Sequence, residues 1–580
     1  MHRHYIDHEF MGLKWQSVEF VRRFLYLTYA AVFIEVPQAY DVFSLRFVRH
    51  VPTGRLLPLN AFANGSTKGP EKGAILVWLN QGVFKNDGHV AIITEVLPNK
   101  VRVAEQNVDN AVLSKCQSWT RELPLVFNDG HYCIHDTFLN TRILGWMIQT
   151  DDCQNSLPKV VVQSDLLKIH LDHCEENSHL IPDKLDPKDD LEQAYHAATD
   201  DTMAHTFSYY TLSNSAEKEL IKATEELHLM YMHATDVVIH DDELLKRFTI
   251  PRVLWPTLRS SWRTERQQLI TGRFDFCLDE KGIKVYEYNV DSASCHTEAS
   301  AILTKWSSQV NLRSGHNPGE ELQRSLVAAW RNSCAEPFVH IMQDNDKEED
   351  YHALFMQRIL TLAGFETKVL RGMDKIKVNS LGQFIDEQGR TLRAVWKTWS
   401  WETVFEALRK ALGGAQNNAS ENNNKRVSLT DVLLCPSITI FEPLWTVIPS
   451  NKAILPVLWS LYRNHPYLLE SAFCLTNQLI ATGYAMKPIA GRRGDNIQLV
   501  APQEHYLMKT GDAVKKYNSI YQQLCCLPKI ENNYLQFCTF TVAGHYNGAC
   551  LRSDPSQVIK GESKILPLWI ENDIDFLRKQ

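Results

Sequence analysis

Between Val18 and Tyr29 apolar side chains recur at helical spacing, and from Gly73 to Glu105 the pattern changes to short apolar runs of the strand type. Those runs are Ala74-Ile75-Leu76-Val77-Trp78, His89-Val90-Ala91-Ile92-Ile93 and Lys100-Val101-Arg102-Val103-Ala104, parted by turn residues such as Asn86-Asp87-Gly88. A helix followed by a small antiparallel sheet is predicted. Beyond Trp146 the chain becomes charged and proline-punctuated, through Asp151-Asp152, Pro158, Pro182 and Pro187. That change predicts a first domain over 1–153, a linker over 154–163 and a second domain over 164–580. An amphipathic helix is predicted over Ala216–Thr235, with mixed strands and helices following it. The stretch from Gly413 to Asn424 has almost nothing to bury and reads as an exposed, mobile loop. The fold class expected is α+β and multidomain.

At 580 residues the chain exceeds what one hydrophobic core organises. With 44% hydrophobic and 22% charged residues, a disordered chain and a fibre are both excluded. A net charge of -7 provides no basic field to attract nucleic acid or an anionic membrane, so neither partner is expected. The longest apolar stretch, Phe24 to Val36, is interrupted by Thr28 and Glu35 and falls short of the roughly 20 residues that cross a bilayer. The first residues lack the apolar core of a signal peptide, which predicts a cytoplasmic protein. Thirteen cysteines occur without a CxxC pair; Cys525-Cys526 is an adjacent doublet that cannot space zinc ligands, and free thiols in a reducing compartment fit best.

The segment from Ile270 to Ser292 changes this picture, because it reads as two strands joined at Asp279-Glu280-Lys281-Gly282. Side chains at alternate positions share a face, so Arg273 goes with Asp275 and Glu287 with Asn289. If the register joins those faces, two carboxylates, an amide oxygen and a guanidinium converge. Hard oxygen ligands of this kind suit Mg²⁺, and Arg273 can stabilise a phosphoryl group in transfer. On spacing alone a solvated hairpin with cross-strand ion pairs is the favoured reading, and metal binding the minority one.

This segment, with Val290-Asp291-Ser292-Ala293-Ser294-Cys295-His296-Thr297-Glu298, resembles the bifunctional glutathionylspermidine synthetase/amidase and trypanothione synthetase family. The blocks Val395-Trp396-Lys397-Thr398-Trp399, Phe441-Glu442-Pro443-Leu444-Trp445 and Lys487-Pro488-Ile489-Ala490-Gly491-Arg492 extend the resemblance through the whole chain in the same order. The resemblance implies an ATP-grasp synthetase, with ATP and two Mg²⁺ between two lobes. It implies Asp275, Glu287 and Asn289 as metal ligands, and Arg273 as a contact for phosphate and glutathione. It places ATP against Lys452, Lys487, Arg493, Gly494, Gln522, Gln523, Leu524, Cys525 and Gln536, and a covering loop over Lys509–Lys516. Ser292, Ser294, Glu348, Glu349 and Thr398 become contacts for glutathione or the polyamine, and Arg552 stabilises charge at the new bond. Taken alone, each lysine reads first as a solvated surface residue, Ser292 and Ser294 read equally as turn formers, and the two glutamates read first as a solvated patch.

The family activates the glycine carboxylate of glutathione as an acyl phosphate, which an amine of spermidine or glutathionylspermidine then attacks. The products implied are glutathionylspermidine and trypanothione; Lys564, where bacterial relatives carry an acid, favours trypanothione over a stop at the first product. A monomer or a homodimer is expected.

In front, Lys14-Trp15-Gln16-Ser17-Val18-Glu19-Phe20, Asp87-Gly88-His89 and Ala104-Glu105-Gln106-Asn107 resemble the family's papain-like cysteine and histidine dependent amidohydrolase (CHAP) domain. Ser17 takes the nucleophile's position, His89 the base's and Glu105 that of the orienting acid. A hydroxyl is far less acidic than a thiol, so weakened or lost amide hydrolysis is expected. The chain begins only sixteen residues before Ser17, where the family has a longer lead, so a shortened or engineered chain and a natural loss are both open. Without the resemblance, Ser17 reads as a helix N-cap and His89 as a core residue. Two further classes compete with the ligase: a working amidohydrolase with an inert second domain, and a non-enzymatic scaffold.

Overall fold

A computed structural model describes residues 2–579 apart from 8, 34, 37, 46, 54–55, 109–116, 151–163, 174–188, 199–207, 310–311, 313, 345–346, 415–426, 492, 503–504, 512–517 and 562. The chain divides into two compact units, Met1–Val161 and Val162–Gln580. The predicted linker lies outside the described residues, as do most of the predicted mobile loop and all of the covering loop after Gly511.

The first unit is a helix on a seven-stranded antiparallel sheet. The helix runs Ser17–Tyr29, and its buried stripe, Val21 and Leu25, packs with Val77, Val90 and Ile92. The intervening residues Leu76, Trp78, Ala91 and Ile93 point to the opposite face, where Phe62 and Trp146 cover them. Ile75–Trp78 and the first half of His89–Leu97 are buried on both faces and read as continuous apolar runs, whereas Lys100–Ala104 alternates, with Val101 and Val103 buried between half-buried neighbours. The remaining four strands, Asn60–Ala63, Arg121–Asn128, His131–Ile134 and Ile143–Ile148, complete the sheet.

Of the five sheets among the described residues of the second unit, the three largest matter here. The hairpin strands Thr271–Asp279 and Gly282–Asn289 join Lys529–Ile530, Asn533–Val542, His545–Asp554 and Lys564–Leu566 in a six-stranded antiparallel sheet. A four-stranded parallel sheet contains Phe338–Gln343, Glu366–Arg371, Ala394–Lys397 and Thr439–Phe441. A five-stranded antiparallel sheet is centred on Tyr484–Pro488, with Ser519–Gln523 and Gln498–Ala501 on either side.

The amphipathic helix spans Asn214–His240, longer than predicted at both ends, and starts where Ser213 Oγ accepts from the Ala216 amide at 3.0 Å. It covers the back of the six-stranded sheet: Tyr231 packs edge-on against Phe274 and Tyr288, and Thr224 bonds Thr539 at 2.7 Å. Phe274 and Tyr288 stack across the hairpin at 3.7 Å with planes 2° apart. This buried stack pins the register, because a slip of one residue would turn both rings to the other face. Phe274→Ala is expected to cost about 3–5 kcal/mol, read as a lower denaturant midpoint of the second unit, since it leaves a ring-sized cavity under the hairpin.

Candidate active sites

The hairpin register pairs Arg273 with Asn289 and Asp275 with Glu287. The predicted convergence is therefore real: the two carboxylates stand directly opposite one another on a single face. A bulge follows, between Asp275 and Phe276, so Tyr286 has no partner in the ladder and its side chain lines the same cavity.

Arg273 is buried and holds Asp275 with two bonds, Nε to Oδ1 at 2.8 Å and Nη2 to Oδ2 at 3.1 Å. Its Nη1 donates to Ser294 Oγ at 2.9 Å. Asn289 Nδ2 reaches Asp275 at 3.4 Å and Glu287 at 3.3 Å. Turned over, the amide would present Oδ1 to the same point. Lys452 Nζ lies 2.8 Å from Glu287, and Lys487 Nζ donates to Gln522 Oε1 at 2.6 Å while facing the Tyr286 ring at 4.9 Å. Burial pushes the Glu287 carboxyl up, but Lys452, Lys487 and Arg273 outweigh it and hold the group well below the usual range. Burial also brings the Lys487 ammonium down to about 8, against the support of Glu287.

These groups line one cavity of about 720 Å³ between the six-stranded and five-stranded sheets. Its wall includes Arg273, Asp275, Glu287, Asn289, Lys452 and Lys487, and further along Arg493, Gly494, Gln522, Gln523, Cys525 and Gln536. Gly494 is at φ 74°, and a Cβ there would meet the Ile559 carbonyl oxygen at 2.5 Å, so the wall needs glycine. Ser292, Ser294, Glu349 and Arg552 close the other end. Two candidates do not line it: Leu524 packs among Ala485, Leu499 and Val558, and Thr398 is buried with Oγ1 lacking a partner among the described residues. The side chain of Glu348 lies outside the described residues.

Sequence reasoning missed one feature of that far end. Glu298 is buried on the cavity wall, which Tyr195 and Tyr351 also line; Tyr351 donates to its Oε1 at 2.8 Å, and Oε2 has no partner among the described residues. Burial pushes its carboxyl up. Arg552 is also on this wall; Nη2 donates to the Lys560 carbonyl at 2.6 Å and Nε has no partner among the described residues. Glu298 closed the quoted block at 290–298, but it sits on a helical turn with no periodicity to mark it.

In the first unit His89 and Glu105 meet on adjacent strands, with His89 Nε2 donating to Glu105 Oε2 at 2.8 Å. Phe84 stacks on the imidazole at 4.4 Å and fixes the ring plane. Arg121, which the sequence reading passed over, grips Glu105 through Nε and through Nη2 at 2.9 Å, and is anchored by Asp136 at 2.9 Å. Burial raises the Glu105 carboxyl, but the bonds from His89 and Arg121 prevail and keep it below its ordinary value. Ser17 is buried and is the first helical residue; Gln16 occupies the N-cap position without a side-chain capping bond. Ser17 therefore does no capping. It stands at the positive end of a helix that packs on the His89 strand, a place that favours an anionic nucleophile.

Residues 182–571 match the family described as glutathionylspermidine synthase preATP-grasp, and residues 8–107 match the CHAP domain. The chain is 53% identical over 572 residues to the bifunctional glutathionylspermidine synthetase/amidase of Escherichia coli, covering 98% of this chain and 92% of that protein. The chain belongs to the glutathionylspermidine synthase family. It is also 31% identical to trypanothione synthetase and 28% identical to glutathionylspermidine synthase, both of Crithidia fasciculata, each over 97% of this chain and covering 90% and 88% of those proteins. Both family regions thus carry their polar clusters, the synthase region around Asp275 and Glu287 and the CHAP region around His89.

No group of three His, Cys, Asp or Glu side chains that could hold a metal occurs among the described residues; a cation beside the opposed pair would have two carboxylates plus the Asn289 amide. That donor set fits Mg²⁺, which keeps waters and shares phosphate oxygens. Lys487 is expected to lose its proton near pH 8, and Glu287→Gln to move that titration lower, since the carboxylate supports the ammonium. The pH dependence of Lys487 acylation by an amine reagent, followed by peptide mass spectrometry, checks both.

Proposed function

We propose that the chain is an ATP-dependent C–N ligase joining the glycine carboxylate of glutathione to an amine of spermidine or glutathionylspermidine. The observation that carries this reading is the Asp275–Glu287 pair, opposed on one face and ringed by Arg273, Lys452 and Lys487 in a single cavity. Asp275, Glu287 and Asn289 would hold Mg²⁺, two ions being the expected number, and the metal neutralises phosphate oxygens when bound. Lys452 and Lys487 provide the phosphate contacts, with Gln522, Gln523, Cys525, Gln536, Arg493 and Gly494 forming the nucleotide wall.

Arg273, bonded to Ser294, faces the activated carboxylate, and the unspent Nε of Arg552 stabilises charge as the carbonyl is attacked. Ser292 and Glu349 complete the glutathione end. Glu298, held by Tyr351 on the cavity wall, supplies the carboxylate toward which a polyamine ammonium is drawn. Cation-rich and anion-rich ends thus meet where the bond forms. Glu287→Ala is expected to abolish ligation, losing at least about 1000-fold in rate, with the fold retained. Phosphate release that requires both glutathione and spermidine is the assay, and full activity of that variant with Mg²⁺ overturns the assignment.

Lys564 on the cavity wall supports continuation to trypanothione. The 53% identity to a glutathionylspermidine synthetase/amidase supports a second reading, in which synthesis stops at the mono-glutathionyl product. Mass spectrometry after prolonged incubation separates them. The unpaired thiols of the described cysteines support a cytoplasmic setting.

For the CHAP region we propose that amide hydrolysis is impaired, because His89 and Glu105 are built to support a thiolate and the nucleophile position holds a hydroxyl. Ser17→Cys is expected to raise hydrolysis of glutathionylspermidine by about 100-fold or more, sensitive to a thiol alkylator and abolished by His89→Ala, with ligation unchanged. An unaltered protein that already hydrolyses as fast as Ser17→Cys defeats the proposal.

A further inference from the structure

The hairpin strand ends at Asn289, and five residues later the chain has delivered Ser292 and Ser294 to the cavity wall. Nothing in that short crossing is regular structure, so some other interaction must fix where the serines stand. Asp291 lies in the middle of it and is buried.

Its partner is Lys397, the last residue of the parallel strand Ala394–Lys397, whose side chain is wholly buried. Lys397 Nζ donates to Asp291 Oδ1 at 2.7 Å, to the Asp291 carbonyl at 2.9 Å and to the Trp399 carbonyl at 2.9 Å. Those three bonds use every donor an ammonium has. Asp291 Oδ2 accepts from the Trp401 amide at 2.8 Å, and the Trp401 ring lies 4.9 Å from Nζ. One residue earlier, the Val290 amide donates to Ser450 Oγ at 3.0 Å. Neither Asp291 nor Lys397 lines the cavity, so neither touches a substrate there.

We infer that the Asp291–Lys397 pair is a positioning device for the glutathione end of the cavity, setting Ser292 and Ser294 and, through Ser294, the guanidinium of Arg273. This rests on the ligase reading above. A buried ion pair is a poor way to gain stability, because desolvation offsets most of the attraction. It is a good way to fix one geometry, since both the carboxylate and the ammonium lose their partners if the crossing shifts. The pair also ties the serines to the rigid parallel sheet instead of to the hairpin alone. The nucleotide wall is placed differently: Lys487 and Gln522 stand on the five-stranded sheet and are held by its own ladder.

The effect of disturbing the pair should therefore be one-sided. In the full-length protein, Asp291→Asn keeps the shape and loses the charge; the KM for glutathione is expected to rise about 10-fold or more, and the KM for ATP to change less than about two-fold. Lys397→Arg, which keeps the charge but changes its reach, is expected to show a smaller shift of the same kind, and it serves as the reading if Asp291→Asn does not fold. Calorimetric titration with glutathione alone gives the same comparison without turnover. A protein that binds glutathione normally but does not ligate sinks the ligase reading and leaves the positioning role to be read from this titration. Equal rises in KM for every substrate, an unchanged glutathione KM in a folded variant, or no glutathione binding by the unaltered protein overturns the positioning role.

Discussion

Two carboxylates facing each other across a hairpin are the constraint around which the second unit is arranged. Directly opposed like charges on adjacent strands repel, and burial in a low-dielectric wall sharpens the repulsion. The chain answers with three cations from three places: Arg273 two residues from Asp275 on its strand, Lys452 after a helical turn, and Lys487 on the five-stranded sheet. The two lysines each bring a further element to the cavity, so the electrostatic solution also bears on the architecture. The resulting balance is close, because Lys487 is left with an ammonium that burial has already weakened. A divalent cation and polyphosphate entering together would keep that balance while changing its members.

The hairpin was legible because its information is local. Alternation puts Arg273 with Asp275 and Glu287 with Asn289, the Asp279–Gly282 turn sets the register, and apolar Phe274 and Tyr288 mark the opposite face. The supports of that hairpin were not legible, because they come from far along the chain. Glu442 accepts from the amides of Ile270 and Thr271 at 2.8 and 3.0 Å, across more than 170 residues, and secures the start of the strand that bears Arg273. Burial pushes that carboxyl up to about 8. No spacing rule connects such partners; the phenylalanine and proline flanking Glu442 point to burial but not to its role.

The first unit shows the same division. The apolar run from His89 predicted the strand it opens, and the alternation of Lys100–Ala104 predicted the strand that ends just before Glu105. Arg121 was hidden, because an arginine beside a glutamate in a strand reads as a surface pair until the structure buries it between Glu105 and Asp136. Its presence changes the chemistry of the site. The guanidinium and the imidazole together hold the Glu105 carboxyl below its ordinary value, so it remains an acceptor that orients the His89 ring.

That arrangement gives a physical reason for the impaired hydrolysis proposed above, in which the nucleophile position holds a hydroxyl. An imidazole supported by an ionised acid sits comfortably as imidazolium beside a thiolate, a pair the helix N-terminus further favours. Serine offers no such ground-state pair, because its alkoxide lies too high to form before attack, and the base must remove the proton during the reaction itself. The geometry for that is more demanding, since donor and acceptor must align with the substrate carbonyl already in place. The His89–Glu105–Arg121 chain holds the imidazole firmly for the first kind of chemistry. The same rigidity that suits a preformed ion pair leaves little freedom for the second kind.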